Sequence, residues 1–376
     1  MNIEGRRIWQ VAAGDTIRSY PDMSLAWDVI LNGPGHVGRW PECLNDLRAK
    51  LSVRKVADIE RFFNEVGDGD IVVLRLGTQE IHGVGVVVGN VSGWNEAFAD
   101  VDGWDLQFLR RVRWVWRSDV DGEQGRPQRF AVYTLRFGAT VQEMTSNVVM
   151  TWLRGLVVED GRFCRAIRPL PGHEEVKHVE VGEIGEYLFD QGVAARSVDD
   201  LVREMGELTR VAKWYARSST PTSEHETVAY LVVPLLRALG WTPQRMAIEW
   251  NRVDIALFAR LPRDNEALAI CVEAKRRDES LLSATSQAVQ YVEANGGAEC
   301  RRIIVTDGIR YGVHVRQPNE GFSRYPQAYL NLTDMRRRYP IYDSAGAEEA
   351  LLYMSPQLEQ AAARAPEHVR NYPEEV

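Results

Sequence analysis

The sequence predicts a mixed chain: a β-rich N-terminal domain over 1–170, a helical connector over 171–218, a C-terminal α/β domain over 219–345 and a tail over 346–376. Three observations lead there. A chain of 376 residues exceeds the size at which one hydrophobic core keeps growing, so more than one domain is expected. Short β-branched and aromatic runs between glycine turns fill the first part. Helical spacing begins near Gly182, and helix and strand patterns alternate after Ser223.

In the N-terminal part, Ile8 to Asp15 opens as a strand. Asp70-Ile71-Val72-Val73-Leu74-Arg75-Leu76 is a second, entered through the turn Gly67-Asp68-Gly69, and Gly83 to Gly89 a third. Arg113-Trp114-Val115-Trp116 and the run from Arg129 to Phe137 are also rich in strand formers. Short strands with such turns predict a small barrel or sandwich. Between Gly182 and Ser218, Ile184, Leu188, Val193, Leu201, Met205, Leu208 and Val211 recur among charged residues and predict helices. Ser219-Thr220-Pro221-Thr222-Ser223 is a loop that supplies a helix N-cap. The stretch to Tyr342 reads helix, strand, strand, helix, strand, strand. The tail from Met354, rich in Ala, Glu and Pro, predicts a frayed or peripheral helix.

Hydrophobic content of 45% and charged content of 26% belong to a globular chain and exclude a disordered or fibrous one. No apolar run approaches the ~20 residues that span a bilayer, and Met1 to Arg7 lacks the apolar core of a secretion signal, so a cytoplasmic protein with no membrane partner is expected. Cys43, Cys164, Cys271 and Cys300 lie too far apart for a zinc spacing and fit scattered thiols in a reducing compartment. The net charge of -8 runs against nucleic-acid binding as a bulk property, but binding follows where the charge sits. Arginines cluster at Arg110, Arg111, Arg113 and Arg117, at Arg276 and Arg277, and at Arg336, Arg337 and Arg338.

The residues that carry chemistry lie in two adjacent strands. In Arg252-Val253-Asp254-Ile255-Ala256-Leu257-Phe258, alternation places Asp254 opposite Val253, Ile255 and Leu257. In Leu268-Ala269-Ile270-Cys271-Val272-Glu273-Ala274-Lys275, Glu273 and Lys275 share one face. If these strands pair, Asp254 and Glu273 converge at one end with Lys275 beside them. Two carboxylates suit a hard cation that keeps water and phosphate among its ligands, and a neighbouring ammonium suits the extra negative charge of a phosphoryl transition state. Charged residues on a strand are often only a solvated face. Here the segment Leu268–Val272 is apolar on both faces, which predicts a central strand where charge is costly unless it is used.

The segment resembles the PD-(D/E)XK nuclease superfamily, particularly the nuclease domain of type I restriction motor subunits and related stand-alone enzymes. The resemblance is carried by Ser223-Glu224-His225-Glu226-Thr227, the stretch from Val233 to Trp241, Arg252 to Phe258, Val272-Glu273-Ala274-Lys275-Arg276, and a Gln-x-x-x-Tyr element at Gln287 and Tyr291. It implies a restriction-endonuclease-like α/β fold, with Asp254, Glu273 and Lys275 catalytic and Glu224 assisting the metal. Gln287 would touch DNA or support the site. Asp254, Glu273 and Glu224 would hold Mg2+, or Mn2+ in its place. No G-x-x-x-x-G-K-[ST] motif occurs, so the chain carries no motor of its own.

In the first domain, Ile8 to Asp15, Gly69-Asp70-Ile71-Val72 and Gly83-Val84-Gly85 resemble the EVE group of PUA-like barrels, whose members include readers of modified bases. A base that leaves the stack needs an aromatic and hydrogen-bonding pocket, and the chain has 11 Trp. Trp9, Asp15, Trp27, Trp104 and Asp105 are the expected pocket residues, although a tryptophan is more often core. Together the two resemblances imply a Mg-dependent, modification-dependent (type IV-like) restriction endonuclease acting on DNA with modified bases, dimeric for double-strand cleavage. An RNA-processing or repair nuclease and a non-catalytic reader are the alternatives.

Overall fold

The computed structural model describes residues 1–15, 18–90, 93–218, 222–277, 279–294, 300–318 and 320–358. The chain is mixed α/β and divides into two compact units, Met1–His173 and Glu174–Val376.

The first unit is built on one curved eight-stranded sheet. Its main path runs Val29–Asn32, Phe108–Arg117, Glu80–Val87, Ile71–Leu76, Ile8–Ala12 and Val141–Glu143. Gly93–Trp94 pairs onto Phe108–Arg117, and Gln128–Arg129 onto Glu80–Val87. Ile8–Ala12 runs parallel to Ile71–Leu76, and the other pairings are antiparallel. Within the main path no pairing joins Val29–Asn32 to Val141–Glu143, so the sheet stays open among the described residues. Of the run expected as a strand from Arg129 to Phe137, only Arg129 is in the sheet, together with Gln128 before it, and the chain then turns.

The glycines of Gly83-Val84-Gly85 have a packing reason. A Cβ on Gly85 would lie 2.4 Å from Val112 Cγ1 and 2.8 Å from Trp114 Cε3, so only glycine admits the Trp114 ring. The pairing register slips between Val84 and Gly85. Trp116 joins a core with Ile8, Val73, Val115, Leu153 and Leu156 and meets Trp152 edge-on. Trp114 instead donates from Nε1 to the Ser24 carbonyl at 3.1 Å. The slip explains why these two tryptophans, which simple strand alternation would put on one face, serve different packing groups. Helix Val53–Asn64 buries Val56, Ile59, Phe62 and Phe63, and Ser52 caps it by accepting from Lys55 N at 3.3 Å.

The second unit holds another eight-stranded sheet, in the order Arg338–Tyr339, Ser344–Ala345, Ala328–Asn331, Arg310–Val315, Arg302–Thr306, Leu268–Ala274, Val253–Phe258, Met246–Trp250. Leu268–Ala274 is buried throughout, antiparallel to Val253–Phe258 and parallel to Arg302–Thr306, with helix Ala284–Ala294 in the crossover. That is the central position its two-sided apolar pattern predicts.

Two expectations are corrected here. The segment 171–218 is not a separate connector. Helix Ala195–Arg217 packs Leu201, Met205, Leu208, Ala212 and Tyr215 into one core with Leu231, Leu235 and Leu236. Each Leu or Met buried this way contributes about 1.5–3 kcal/mol, so a stripe of several binds the helix firmly to its unit. The tail expected over 346–376 is also packed at its start. Helix Ala347–Met354 buries Ala347, Ala350, Leu351 and Met354, and the Met354 carbonyl accepts from Trp241 Nε1 at 2.8 Å. The rest of the predicted tail, from 359, lies outside the described residues, as do Ser219, Thr220 and Pro221 of the predicted capping loop. Among the described residues no helix is long and apolar enough to cross a membrane.

Candidate active site

Four side chains singled out in the sequence meet at one end of the central strand of the second unit. Asp254 lies one step beyond the Ile255–Val272 pair, and its Oδ2 accepts the Ala274 backbone N–H at 2.7 Å. This bond ties the first strand's carboxylate to the second strand between Glu273 and Lys275. Lys275 Nζ donates to Glu273 Oε1 at 2.7 Å and lies 3.8 Å from Glu224 Oε1. Lys275 N donates to the Thr306 carbonyl at 2.7 Å, which anchors the ammonium-bearing residue just past the strand end.

Glu224 reaches the cluster because Ser223 starts its helix, with Ser223 Oγ accepting the Glu226 N–H at 3.1 Å. One turn of π-helix, Val228–Val232, follows before the α-helix resumes at Val233–Ala238. The neighbouring Glu226 turns elsewhere and accepts from the Tyr215 hydroxyl at 2.9 Å. Gln287 is not tied to the four: its amide donates to Tyr291 Oη at 2.9 Å, one turn along the same helix.

The electrostatics follow from burial. The Glu273 side chain is 2% exposed. Burial pushes its carboxyl up to about 7, with the hydrogen bond from Lys275 opposing and the charges of Asp254 and Glu224 adding to the rise. Burial alone would pull the Lys275 ammonium down, but the hydrogen bond and charge of Glu273, helped by Glu224 and Asp254, leave it above its ordinary value. Glu273 Oε2 is buried and has no hydrogen-bond partner among the described residues. A buried carboxylate oxygen without a donor is costly and is satisfied by a cation or water.

Among the described residues no three His, Cys, Asp or Glu groups gather closely enough to hold a metal by themselves. Glu224 is linked to Glu273 through Lys275 rather than as a third member of a carboxylate cage. The donor set of Asp254 and Glu273 therefore fits a cation that takes one or two carboxylates and completes its shell with water and phosphate, which is how Mg2+ binds.

The first unit has a separate cavity of 410 Å³, inside the range of about 300–1,000 Å³ for small-molecule sites. Asp15 and Trp104, two of the residues singled out in the sequence, line it. Tyr20, Lys55, Asp58 and Arg75 also line it and were missed. Trp104 meets Tyr20 edge-on at 5.5 Å and carries the Arg18 guanidinium on its face. Lys55 Nζ donates to Asn32 Oδ1 at 2.7 Å and lies 3.3 Å from Asp58 Oδ2, while Asp58 Oδ1 accepts the Val141 N–H at 2.8 Å. Burial lowers the Lys55 ammonium against the pull of Asp58, and it raises the Tyr20 hydroxyl.

The other three residues expected in a base pocket do not line this cavity. Trp9 is buried and donates from Nε1 to Asp70 Oδ2 at 2.7 Å, so it is core. Trp27 is buried against Phe98 under the Arg168 guanidinium. Asp105 accepts from the backbone and ring nitrogens of His36. The missed residues had a signal: Lys55 and Asp58 interrupt the buried face of an amphipathic helix, at Lys55-Val56-Ala57-Asp58, where paired charge marks a polar site under the helix.

A family model described as a domain of unknown function (DUF8426) matches residues 37–135, a stretch that includes Lys55, Asp58, Arg75 and Trp104 of this cavity. No curated protein matches the chain.

Proposed function

We propose that this chain is a modification-dependent DNA endonuclease, with a PD-(D/E)XK nuclease in its second unit and an EVE-like, PUA-related reader of modified bases in its first. The observation that carries the nuclease assignment is the meeting of Asp254, Glu273, Lys275 and Glu224 at the end of a buried central strand, with Glu273 Oε2 left without a donor. A surface ion pair does not need a central strand, and burying Glu273 there beside the half-buried Asp254 and Lys275 is costly unless they are used.

Asp254 and Glu273 would hold Mg2+ or Mn2+ in this reading. The ion supplies charge withdrawal from the scissile phosphate and a bound water of lowered pKa. Lys275 stays charged at neutral pH and, held by Glu273, stands where it can donate to a phosphate oxygen as negative charge builds. Glu224 puts a second anion 3.8 Å from that ammonium and favours its charged form. Asp254, fixed by the Ala274 N–H, is oriented before substrate arrives. Gln287 supports the helix beside this strand through Tyr291 rather than reacting.

Reader activity is supported by the cavity in the first unit, where Trp104 and Tyr20 offer aromatic faces and Asp15, Asp58, Lys55 and Arg75 offer donors and acceptors to a base edge. One such site cuts one strand, so double-strand cleavage is assigned to a homodimer or to sequential nicking.

The test is a cleavage assay with Mg2+ on matched duplexes, unmodified or carrying 5-methyl-, 5-hydroxymethyl- or glucosylated hydroxymethylcytosine, with Lys275→Ala and EDTA as controls. Cutting of a modified substrate alone, lost in both controls, is the expected result. Equal inactivity of wild type and Lys275→Ala on every DNA would overturn the restriction assignment, and cutting of structured RNA instead would support an RNA-processing nuclease.

A further inference from the structure

Helix Ala195–Arg217 buries one face, Leu201, Met205, Leu208, Ala212 and Tyr215, and its opposite face changes character along its length. The first half of the outer face mixes signs: Asp200 accepts from Arg203, and Glu204 lies 3.9 Å from the same guanidinium. The second half presents Arg210, Lys213, Trp214 and Arg217, spaced i, i+3, i+4 and i+7, so they form a single stripe facing away from the core. All four are exposed, Trp214 at 62%. Arg210, Lys213 and Arg217 make no ion pair among the described residues.

Cations in the last turns suit the helix dipole, and that accounts for their sign. It gives no reason for an indole that meets the Tyr215 ring edge-on at 4.8 Å and leaves most of its surface in water between them. A Trp flanked by cations on a solvated face matches what a nucleic-acid strand needs: phosphates are met by the cations and a base by the ring. A second copy of this face is a poor partner, because a twofold contact would set like charges together.

The end of this helix is tied to the two segments that carry Glu224 and Lys275. Tyr215, next to Trp214, donates its hydroxyl to Glu226, two residues from Glu224. Its backbone carbonyl accepts from the Arg277 guanidinium, two residues past Lys275. Exposed Arg276 lies between them in sequence.

We infer that Arg210, Lys213, Trp214 and Arg217 form the track on which the DNA strand leading to the active site lies, with Trp214 as the platform for an unstacked base. This inference rests on the nuclease reading of the second unit, but it is tested by binding alone. The full-length protein is titrated into a fluorescein-labelled single-stranded 20-mer, and a duplex carrying a single-stranded tail, in EDTA so that nothing is cut. Trp214→Ala is expected to weaken binding about 5- to 100-fold, with Trp214→Phe restoring most of it. The triple variant Arg210→Gln, Lys213→Gln, Arg217→Gln is expected to lower the slope of log affinity against log salt by about 2. Circular dichroism and sedimentation confirm that each variant is folded and of unchanged oligomeric state.

Unchanged affinity in Trp214→Ala overturns the inference, and so does a wild type that binds neither DNA. A change of oligomeric state in Trp214→Ala without loss of DNA affinity also overturns it and makes the stripe a contact between copies. Loss of binding in Trp214→Ala from a wild type that never cuts DNA keeps the track and sinks the nuclease. Cutting and binding both unaffected keep the nuclease and sink the track.

Discussion

Replacing Glu273 by glutamine should stabilise the protein at alkaline pH while abolishing the proposed nuclease activity. Burial holds the Glu273 carboxyl at about 7 against an ordinary 4.5. At 1.36 kcal/mol for each pH unit, that rise corresponds to about 3 kcal/mol of cost to the ionised form. The side chain is only 2% exposed, so solvent screening removes little of this. Between pH 4.5 and about 7 the native state keeps a proton that the unfolded chain has released. Stability therefore falls as the pH rises through that window, and the whole cost is present above it. Glutamine resembles the protonated acid in shape and has no charge to desolvate. Urea unfolding of wild type and Glu273→Gln at pH 5, 6, 7 and 8, without divalent ions, checks this. The variant should match wild type near pH 5 and exceed it by up to about 3 kcal/mol at pH 8. A stability difference that does not change between pH 5 and 8 would refute the assignment of a raised carboxyl at Glu273, and with it the claim that this site is built at a cost to folding.

Further outcomes follow from the same contacts. Mg2+ at about a hundred times its dissociation constant should raise wild-type stability by about 2.7 kcal/mol and leave Asp254→Asn nearly unmoved, as thermal melts with and without EDTA would show. Trp241→Ala removes a fully buried ring whose Nε1 donates to the Met354 carbonyl, and should cost about 3–5 kcal/mol in a urea titration. Asp58→Ala leaves the Val141 N–H buried without its acceptor, which should cost about 1–3 kcal/mol, and it should also weaken binding of modified over unmodified DNA in a competition assay.

Much of the candidate site was legible because it depends on local periodicity. Strand alternation puts Glu273 and Lys275 on one face whatever else surrounds them, and Ser223 marks a helix start by its own hydroxyl. The two-sided apolar run Leu268–Val272 likewise announced a central strand. The β-rich character of the first unit was visible in its valine and isoleucine runs. Its helix Val53–Asn64 was missed, although the spacing of Val56, Ile59, Phe62 and Phe63 is helical.

What tertiary structure alone decided is which distant segments meet. Trp9, Trp27 and Trp104 are chemically alike in sequence, yet the first two are buried in the core and only the third reaches the cavity. Asp58, Arg75 and Tyr20 gather around that cavity from a helix, a strand and a loop, and no spacing in the chain encodes that meeting. The helix Ala195–Arg217 shows the same limit: periodicity declared its apolar stripe, but only the presence of Leu231, Leu235 and Leu236 opposite it made that stripe core instead of linker. Local patterns follow from the geometry of one strand or one helix, which each residue feels directly. Burial and neighbourhood are properties of the packed whole, set by hydrophobic contacts between segments far apart in the chain.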